Sequence, residues 1–255
     1  MEAPEREDAW FEEYFDEAFI EIYRPFLTPE RTTEEAAAIL ELLDLEPGAR
    51  VLDLACGWGR HSVELARAGL QVTGYDLSQT LLDRAAKRAE AAGVRVEWVR
   101  GDMRELPWTG RFDAVVSLFS SLGYFLSDDE DRRVLQAAVR ALKPGGLFLL
   151  ETMHRDQIAR GFVERDWWRG EAGRAVWVER EFDAVAGITR EWLSFERPDG
   201  SRAEKYHAMQ VRSATEWDHL LRSAGLAPLA FYGDWDFSDF THESERLIAL
   251  AEVNG

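Results

Sequence analysis

The sequence has 255 residues, with 30 Lys and Arg against 48 Asp and Glu, for a formal net charge of −18. Hydrophobic residues make up 46% and aromatic residues 12%, enough for a sizeable core, which excludes wholesale disorder. So acidic a chain argues against a general nucleic-acid binder and against an anionic membrane surface, because both need basic charge to neutralise phosphate.

Residues 1–50 hold 15 acids and 4 Arg, so −11 of the −18 sits at the start of the chain. Such a run reads as a solvated helix face. Phe11, Phe15, Ala18, Phe19, Ile22 and Phe26 recur at helical spacing over 10–26. A second helix is expected after Thr32, which has capping-box spacing to Glu35. Its apolar stripe is Ala36, Ile39, Leu40 and Leu43, and Gly48 ends this segment.

From residue 50 strands and helices alternate. Val51–Ala55 reads as a buried strand, Gly59–Ala68 as a helix stopped by Gly69, and Gln71–Tyr75 as a second strand. Ser78 caps a helix to Ala92 with Gly93 after it. Val94, Val96 and Trp98 alternate as a third strand, and Phe112–Ser117 is a fourth. Ser127 and Glu130 open a helix to Leu142. Lys143-Pro144-Gly145-Gly146 is a turn before a fifth strand, Leu147–Glu151. This alternation implies a parallel, doubly wound sheet with helices on both faces.

After residue 155 the pattern changes to three antiparallel strands, Ala175–Glu181, Ile188–Glu196 and Arg202–Val211. Turn chemistry separates them at Ala186-Gly187 and Pro198-Asp199-Gly200-Ser201. A helix follows at Ala214–Ser223, capped by Ser213 with Glu216 three residues on. Leu226–Asp234 and Leu247–Val253 are the last two strands. The expected division is a helical cap (1–48), a cofactor core (49–154), an antiparallel insertion (155–212) and a closing segment (213–255) within one domain. An insertion at the C-terminal ends of parallel strands sits beside the binding crevice, which makes it a candidate lid.

The strongest local signal is Asp53-Leu54-Ala55-Cys56-Gly57-Trp58-Gly59. A buried strand runs through Gly-x-Gly into a helix, whose N-terminus offers unpaired N–H groups and partial positive charge. A dinucleotide site wants G-x-G-x-x-G/A, and Ser62 stands at the third position here. Asp53, inside the first strand, suits a cationic ligand better than a pyrophosphate. Asp76 ends the second strand, 19 residues past Gly57, where an acid can take ribose hydroxyls.

These features resemble class I S-adenosylmethionine-dependent methyltransferases. Asp53–Gly59 matches that family's first motif, with Ala55 where many members carry glycine. Asp76 matches the acid after the second strand, and Gly101-Asp102-Met103 the adenine-side motif. Phe112–Ser117 matches the fourth strand, and Leu142–Gly146 the turn before the fifth. The motifs cover residues 50–151, about 40% of the chain. The resemblance implies a Rossmann-like, seven-stranded, mostly parallel α/β sheet. It also implies S-adenosyl-L-methionine as cofactor and S-adenosyl-L-homocysteine as product. Gly57 and Gly59, with the backbone of Ala55, would pack on the methionine part, and Asp53 would lie near its amino group. Asp76 would hold the ribose, with Leu77 along the adenine. Asp102 would accept from the adenine amino group, with Met103 beside the ring. Ser117 and Leu118 would sit near the reacting methyl.

The acceptor is expected to be a small molecule methylated on nitrogen or oxygen. Its pocket is expected to draw on the first helix, the loop Ser120–Tyr124 and the insertion. His154, after the fifth strand, is the candidate base, with Tyr124 as a second catalytic candidate. Tyr14, Tyr23, Tyr124, His154 and His207 are the candidate acceptor contacts, each with an ordinary packing role as the competing reading. His61, at the positive end of a helix, reads as structural or cofactor-side, Arg60 as an anchor for an acidic partner or a surface residue, and Cys56 as a packed loop residue. A single cysteine excludes an internal disulfide and a Cys-based zinc site, and no H-x-x-x-H pattern occurs, so no metal is expected. The inserted sheet is similar in placement to that of N-methyltransferases acting on amino sugars. Two other readings are a nicotinamide-dependent oxidoreductase and a non-catalytic cofactor-binding module. The acidic N-terminus lacks a signal-peptide pattern, and no apolar run approaches the ~20 residues of a membrane span, so a cytoplasmic protein is expected. Lysine occurs only at 87, 143 and 205, an arginine bias found in GC-rich bacterial genes and in thermophiles.

Overall fold

The computed structural model describes residues 7–197 and 199–254. Residues 1–6 of the expected cap, Pro198 of the expected turn and Gly255 lie outside the described residues.

The first helical stretch is broken in two. α1 (Phe11–Tyr14) stops at Phe15, and Asp16 caps α2 (Glu17–Tyr23) by accepting the Phe19 N–H. A 3-10 turn, Arg24–Phe26, follows. α3 (Pro29–Leu43) starts one turn before Thr32. Pro29 needs no N–H partner at the first helical position, and Thr28 caps by accepting from Arg31 N. Thr32 is therefore inside the helix, with its hydroxyl on Thr28 O. Glu35 is buried rather than reaching back to a cap.

The alternating core then runs β1 (Arg50–Leu54), α4 (Arg60–Arg67), β2 (Gln71–Asp76), α5 (Gln79–Ala92) and β3 (Glu97–Arg100). It continues through β4 (Phe112–Ser117), α6 (Asp128–Ala141) and β5 (Leu142–Thr152). β3 begins later than the alternation suggests, because the Val94 N–H closes the end of α5 on Ala89 O behind left-handed Gly93. Lys143–Gly146 is not a free turn but the start of β5, with a register break opposite Phe112 and Ala114.

The insertion holds more than the three expected strands. α7 (Arg155–Gly161), capped by His154, and β6 (Arg165–Arg169) come first. Then follow β7 (Ala175–Asp183), β8 (Ile188–Glu196) and β9 (Arg202–Gln210), giving an antiparallel order β6-β7-β8-β9. α8 (Ala214–Ala224) carries the full Ser213–Glu216 capping box. β10 (Leu226–Tyr232) and β11 (Leu247–Val253) complete the main sheet.

That sheet has seven strands in the order β10-β11-β5-β4-β1-β2-β3. β3, β2, β1, β4 and β5 are parallel, and β11 is antiparallel to both its neighbours. Both faces are covered, and β1 is buried from Val51 to Leu54, with Asp53 the one charged residue in that stretch. Val51 joins Ile39, Leu65 and Leu149 on one side, while Leu52 joins Phe112, Phe148 and Trp217 on the other. The inward face of the smaller sheet contributes Val176, Val178, Leu193 and Phe195 to the same core as Phe11, Phe19 and Ile22. The insertion and the cap thus close together over the C-terminal ends of the parallel strands. Among the described residues, no helix is long and apolar enough to cross a membrane.

Candidate active site

The loop after β1 turns sharply, with Ala55, Gly57 and Gly59 all in the left-handed region at φ 60°, 55° and 70°. Alanine takes this conformation at a cost of roughly 1–2 kcal/mol, which the surrounding contacts must supply. Cys56 N–H bonds Tyr75 O, so the loop is tied to the end of β2. A cleft opens here, floored by Asp53, Ala55, Cys56, Gly57 and Asp76 and roofed by Phe11, Phe15 and Phe19 of the cap. Leu77, Asp102 and Met103 line one side, and Leu118, Phe119, Ser121 and Tyr124 another.

The cleft therefore gathers nine expected residues: Asp53, Ala55, Gly57, Asp76, Leu77, Asp102, Met103, Leu118 and Tyr124. Gly59 lies outside its lining. A side chain there would sit 2.6 Å from Trp98 and 2.9 Å from Ala85, so Gly59 is required by the packing of α4. Ser117 is fully buried beneath the floor, its hydroxyl without a partner among the described residues. Tyr14 and Tyr23 bond each other at 3.0 Å behind the roof.

His154 cannot act as drawn from the sequence. It is fully buried, with Nε2 2.8 Å from Ser244 O and Nδ1 accepting from Gln157 N–H. A carbonyl only accepts, so Nε2 carries the hydrogen and Nδ1 is used as a helix cap. The ring packs edge-on to Phe240, away from the cleft. His207 also stands off the cleft, paired with Glu191 at 3.1 Å.

Asp53 is buried, and burial pushes its carboxyl up to about 6, against the opposing hydrogen bond from the Ser62 hydroxyl. Burial also raises Asp76, which accepts from Gly57 N–H and Ser78 N–H, each at 2.8 Å. Each carboxylate oxygen has two lone pairs, so Asp76 keeps capacity for two hydroxyls. Asp102 plays a double part. It faces the cleft and also caps a turn by accepting Arg104 N–H, and the Arg104 guanidinium holds its carboxyl down despite burial.

The sequence reading missed a buried charge cluster at the cleft wall formed by Arg60 and His61. Glu35 of α3 bonds Arg60, His61 Nε2 at 2.9 Å and Arg31 Nε at 2.7 Å. Burial opposes its charge, yet His61 and the two guanidiniums hold its carboxyl well below the ordinary range. Burial pushes His61 down to about 4, so it is a neutral donor. Arg60 is not a surface residue. It is 6% exposed, lines the cleft, and its Nη2 has no partner among the described residues. Glu35 and Arg60 come from elements far apart in sequence, so no local spacing announces them.

The cleft suits S-adenosylmethionine. Asp76 has acceptor capacity for a ribose diol, Asp53 can ionise beside an ammonium, and the unpartnered Arg60 Nη2 offers a donor to a carboxylate. Leu77 and Met103 give an apolar slot. Among the described residues, no group of three or more His, Cys, Asp or Glu is placed to hold a metal ion.

A family model described as a methyltransferase domain matches residues 51–146. The chain is 30% identical over 252 residues to a glycine/sarcosine N-methyltransferase of Halorhodospira halochloris, covering 96% of this chain and 90% of that one. It is 28% identical over 206 residues to a dTDP-3-amino-3,4,6-trideoxy-alpha-D-glucopyranose N,N-dimethyltransferase of Streptomyces venezuelae, covering 77% and 85%. An S-adenosylmethionine-dependent methyltransferase of Clostridium acetobutylicum has a similar solved structure, with a TM-score of 0.80 at 18% identity over 93% of this chain and 97% of that one. That last likeness speaks to the fold alone.

Proposed function

The chain belongs to the class I S-adenosylmethionine-dependent methyltransferases, and from that premise we propose that its acceptor is a small molecule methylated on nitrogen or oxygen. One observation carries this reading: the same cleft that the Ala55–Gly57 loop floors is roofed by Phe11, Phe15 and Phe19 of the cap. A roofed cleft suits a small acceptor. The net charge of −18 disfavours a polynucleotide for the same site. The two N-methyltransferases among the relatives favour nitrogen. The nicotinamide-dependent reading finds no support in these relatives.

In this reading cap, core, insertion and closing segment work as one domain. Asp76 holds the ribose hydroxyls, Asp53 the amino group and Arg60 Nη2 the carboxylate of the cofactor, while Leu77, Asp102 and Met103 receive the adenine. The bound cofactor supplies an electrophilic methyl group on a sulfonium, a good leaving group. What remains for the chain is to align the acceptor, exclude water and tolerate a shrinking positive charge. Phe15, Phe19, Leu118 and Phe119 exclude water. Tyr124 lines the cleft, and burial raises its hydroxyl well above the ordinary value, so in this reading it orients an acceptor as a neutral phenol.

The test is transfer of labelled methyl from S-adenosylmethionine into a bacterial cell extract, followed by ultrafiltration. Label in the filtrate is expected. Label retained wholly with macromolecules would refute the small-molecule acceptor.

A further inference from the structure

The cleft wall formed by Leu118, Phe119, Ser121 and Tyr124 leaves β4 through a strained turn. Phe119 and Ser120 both sit in the left-handed region at φ 57°, the one adjacent pair of non-glycine residues to do so among the described residues. A side chain in that region crowds its own backbone, so such a turn persists only where its surroundings hold it. Glycine would remove the strain at either position, and neither is glycine.

The end of β5 supplies the hold. Phe119 N–H donates to the Glu151 carboxylate at 2.5 Å, and Ser120 N–H donates to Glu151 O at 3.1 Å. Met153 N–H returns a bond to the Ser120 hydroxyl at 2.9 Å. Glu151 is buried and does not line the cleft. Burial pushes its carboxyl up, and the Arg246 guanidinium, 3.2 Å away, opposes that shift. Arg246 also lies 3.6 Å from Glu35. Glu35 in turn pairs with Arg31 and Arg60, whose guanidiniums lie 5.9 Å and 5.5 Å from the centre of the Phe119 ring. Backbone and ring of Phe119 are thus gripped by one buried network drawn from α3, α4, β5 and the residue before β11.

The far end of the segment is anchored in the same manner. Gly123 N–H donates to the buried Asp131 carboxylate at 3.2 Å, and Arg212 pairs with Asp131 at 2.7 Å. Gly123 O accepts from Gln210 N–H at 2.9 Å. Two buried carboxylates outside the cleft therefore fix both ends of a wall that faces into it. The two ends differ in strain. Gly123 takes its positive φ freely, whereas Phe119 and Ser120 do not. The shape of the wall depends on the hold at Glu151.

We infer that Glu151 is a positioning residue for methyl transfer. Its carboxylate keeps the Phe119–Ser120 turn wound, and so keeps Leu118, Phe119 and Tyr124 where the acceptor is aligned. This deepens the reading above and rests on it for the acceptor lying against this wall. In-line displacement tolerates a misplaced wall poorly, since a shift of about 1 Å can slow it about a hundredfold. In the same reading the cofactor is held by Asp53 and Asp76 on β1 and β2, across β4 from Glu151. Loss of the Glu151 carboxylate should therefore separate transfer from cofactor binding.

Two measurements test this. The first is amide NMR with hydrogen exchange on the full chain with S-adenosylhomocysteine bound. The Phe119 amide is expected far downfield and slow to exchange, and Glu151→Leu should move it upfield and speed its exchange. A Phe119 amide that exchanges freely in the wild type overturns the inference. The second measures label passed from saturating S-adenosylmethionine to a whole bacterial extract, above a blank without the protein. Glu151→Leu should transfer about a hundredfold more slowly. Its affinity for S-adenosylhomocysteine should match the wild type, which also shows that it is folded. Arg246→Met removes the partner guanidinium but leaves a carboxyl oxygen against Phe119 N–H, so it should lose stability and keep its transfer rate. Three results overturn the inference: wild-type transfer by Glu151→Leu, an equal loss of transfer in Arg246→Met, or a loss of cofactor affinity as large as the loss of transfer. Counting total label makes these outcomes independent of the size of the acceptor. Label confined to macromolecules overturns the small-molecule reading, while the rates of the two variants still decide the role of Glu151.

Discussion

Asp53 sets a cost that one substitution should reveal. Its carboxyl is buried, and its value in the folded chain is about 6 against an ordinary 3.8. A group whose folded value is raised leaves stability intact below the ordinary value and removes it as pH climbs through the folded one. At about 1.36 kcal/mol for each pH unit, the gap amounts to about 3 kcal/mol lost by pH 7. Asp53→Asn removes the titration. It also weakens the bond from the Ser62 hydroxyl, which costs about 1 kcal/mol. The cofactor-free variant should therefore be more stable than wild type by about 2 kcal/mol at pH 7. That advantage should shrink from about pH 6 downward, vanish near about pH 4.5 and reverse to a deficit of about 1 kcal/mol in stronger acid, where only the weakened Ser62 bond remains. Urea unfolding of both proteins across this range measures it, and the comparison cancels every other titrating group. A difference that is flat with pH, or largest in acid, would refute the reasoning. The same carboxylate should be needed to receive the cofactor amino group. Calorimetry with S-adenosylhomocysteine should find the variant weaker by tenfold or more at pH 7, and the wild type losing affinity below about pH 6.

Three further outcomes are expected. Asp76→Asn leaves one carbonyl oxygen where Gly57 N–H and Ser78 N–H bond separate carboxylate oxygens, so one of them loses its acceptor; S-adenosylhomocysteine affinity should fall at least tenfold and denaturant unfolding should show a loss of about 1–3 kcal/mol. Gly59→Ala forces a side chain into Trp98 and Ala85 at φ 70°, and denaturant unfolding should show a loss of about 2–4 kcal/mol. His154→Asn can still cap α7 but loses the bond to Ser244 O, so stability should drop by about 1 kcal/mol with kcat unchanged. A collapse of kcat at full cofactor occupancy would restore His154 as a base.

Much of the fold was legible because its signals are local. Alternation of buried strand and helix, Ser78, Ser127 and Ser213 at helix starts, and Gly93 and Gly225 at helix ends are decided within a few residues of backbone. The errors arose where a nearby partner competed. Asp16 split the first helix, Pro29 and Thr28 moved the next one forward a turn, and β6, with its Trp167-Trp168 pair, shows no alternation to read. The cofactor floor was legible for the same local reason, since Asp53, Ala55 and Gly57 lie on one strand and turn.

Local sequence was enough for the sheet, the strand-to-helix turn and the acids near the ends of β1 and β2. Which side chains are free to react is set by the folded core. His154 and His207 look alike in sequence, yet one is spent on a helix cap and a carbonyl while the other is paired with Glu191. Arg60 looks exposed and is buried against a glutamate from another helix. The physical reason is that strand and turn preferences are written in short-range sterics and hydrogen bonds. Protonation and burial depend on partners that distant segments bring together only when the core closes.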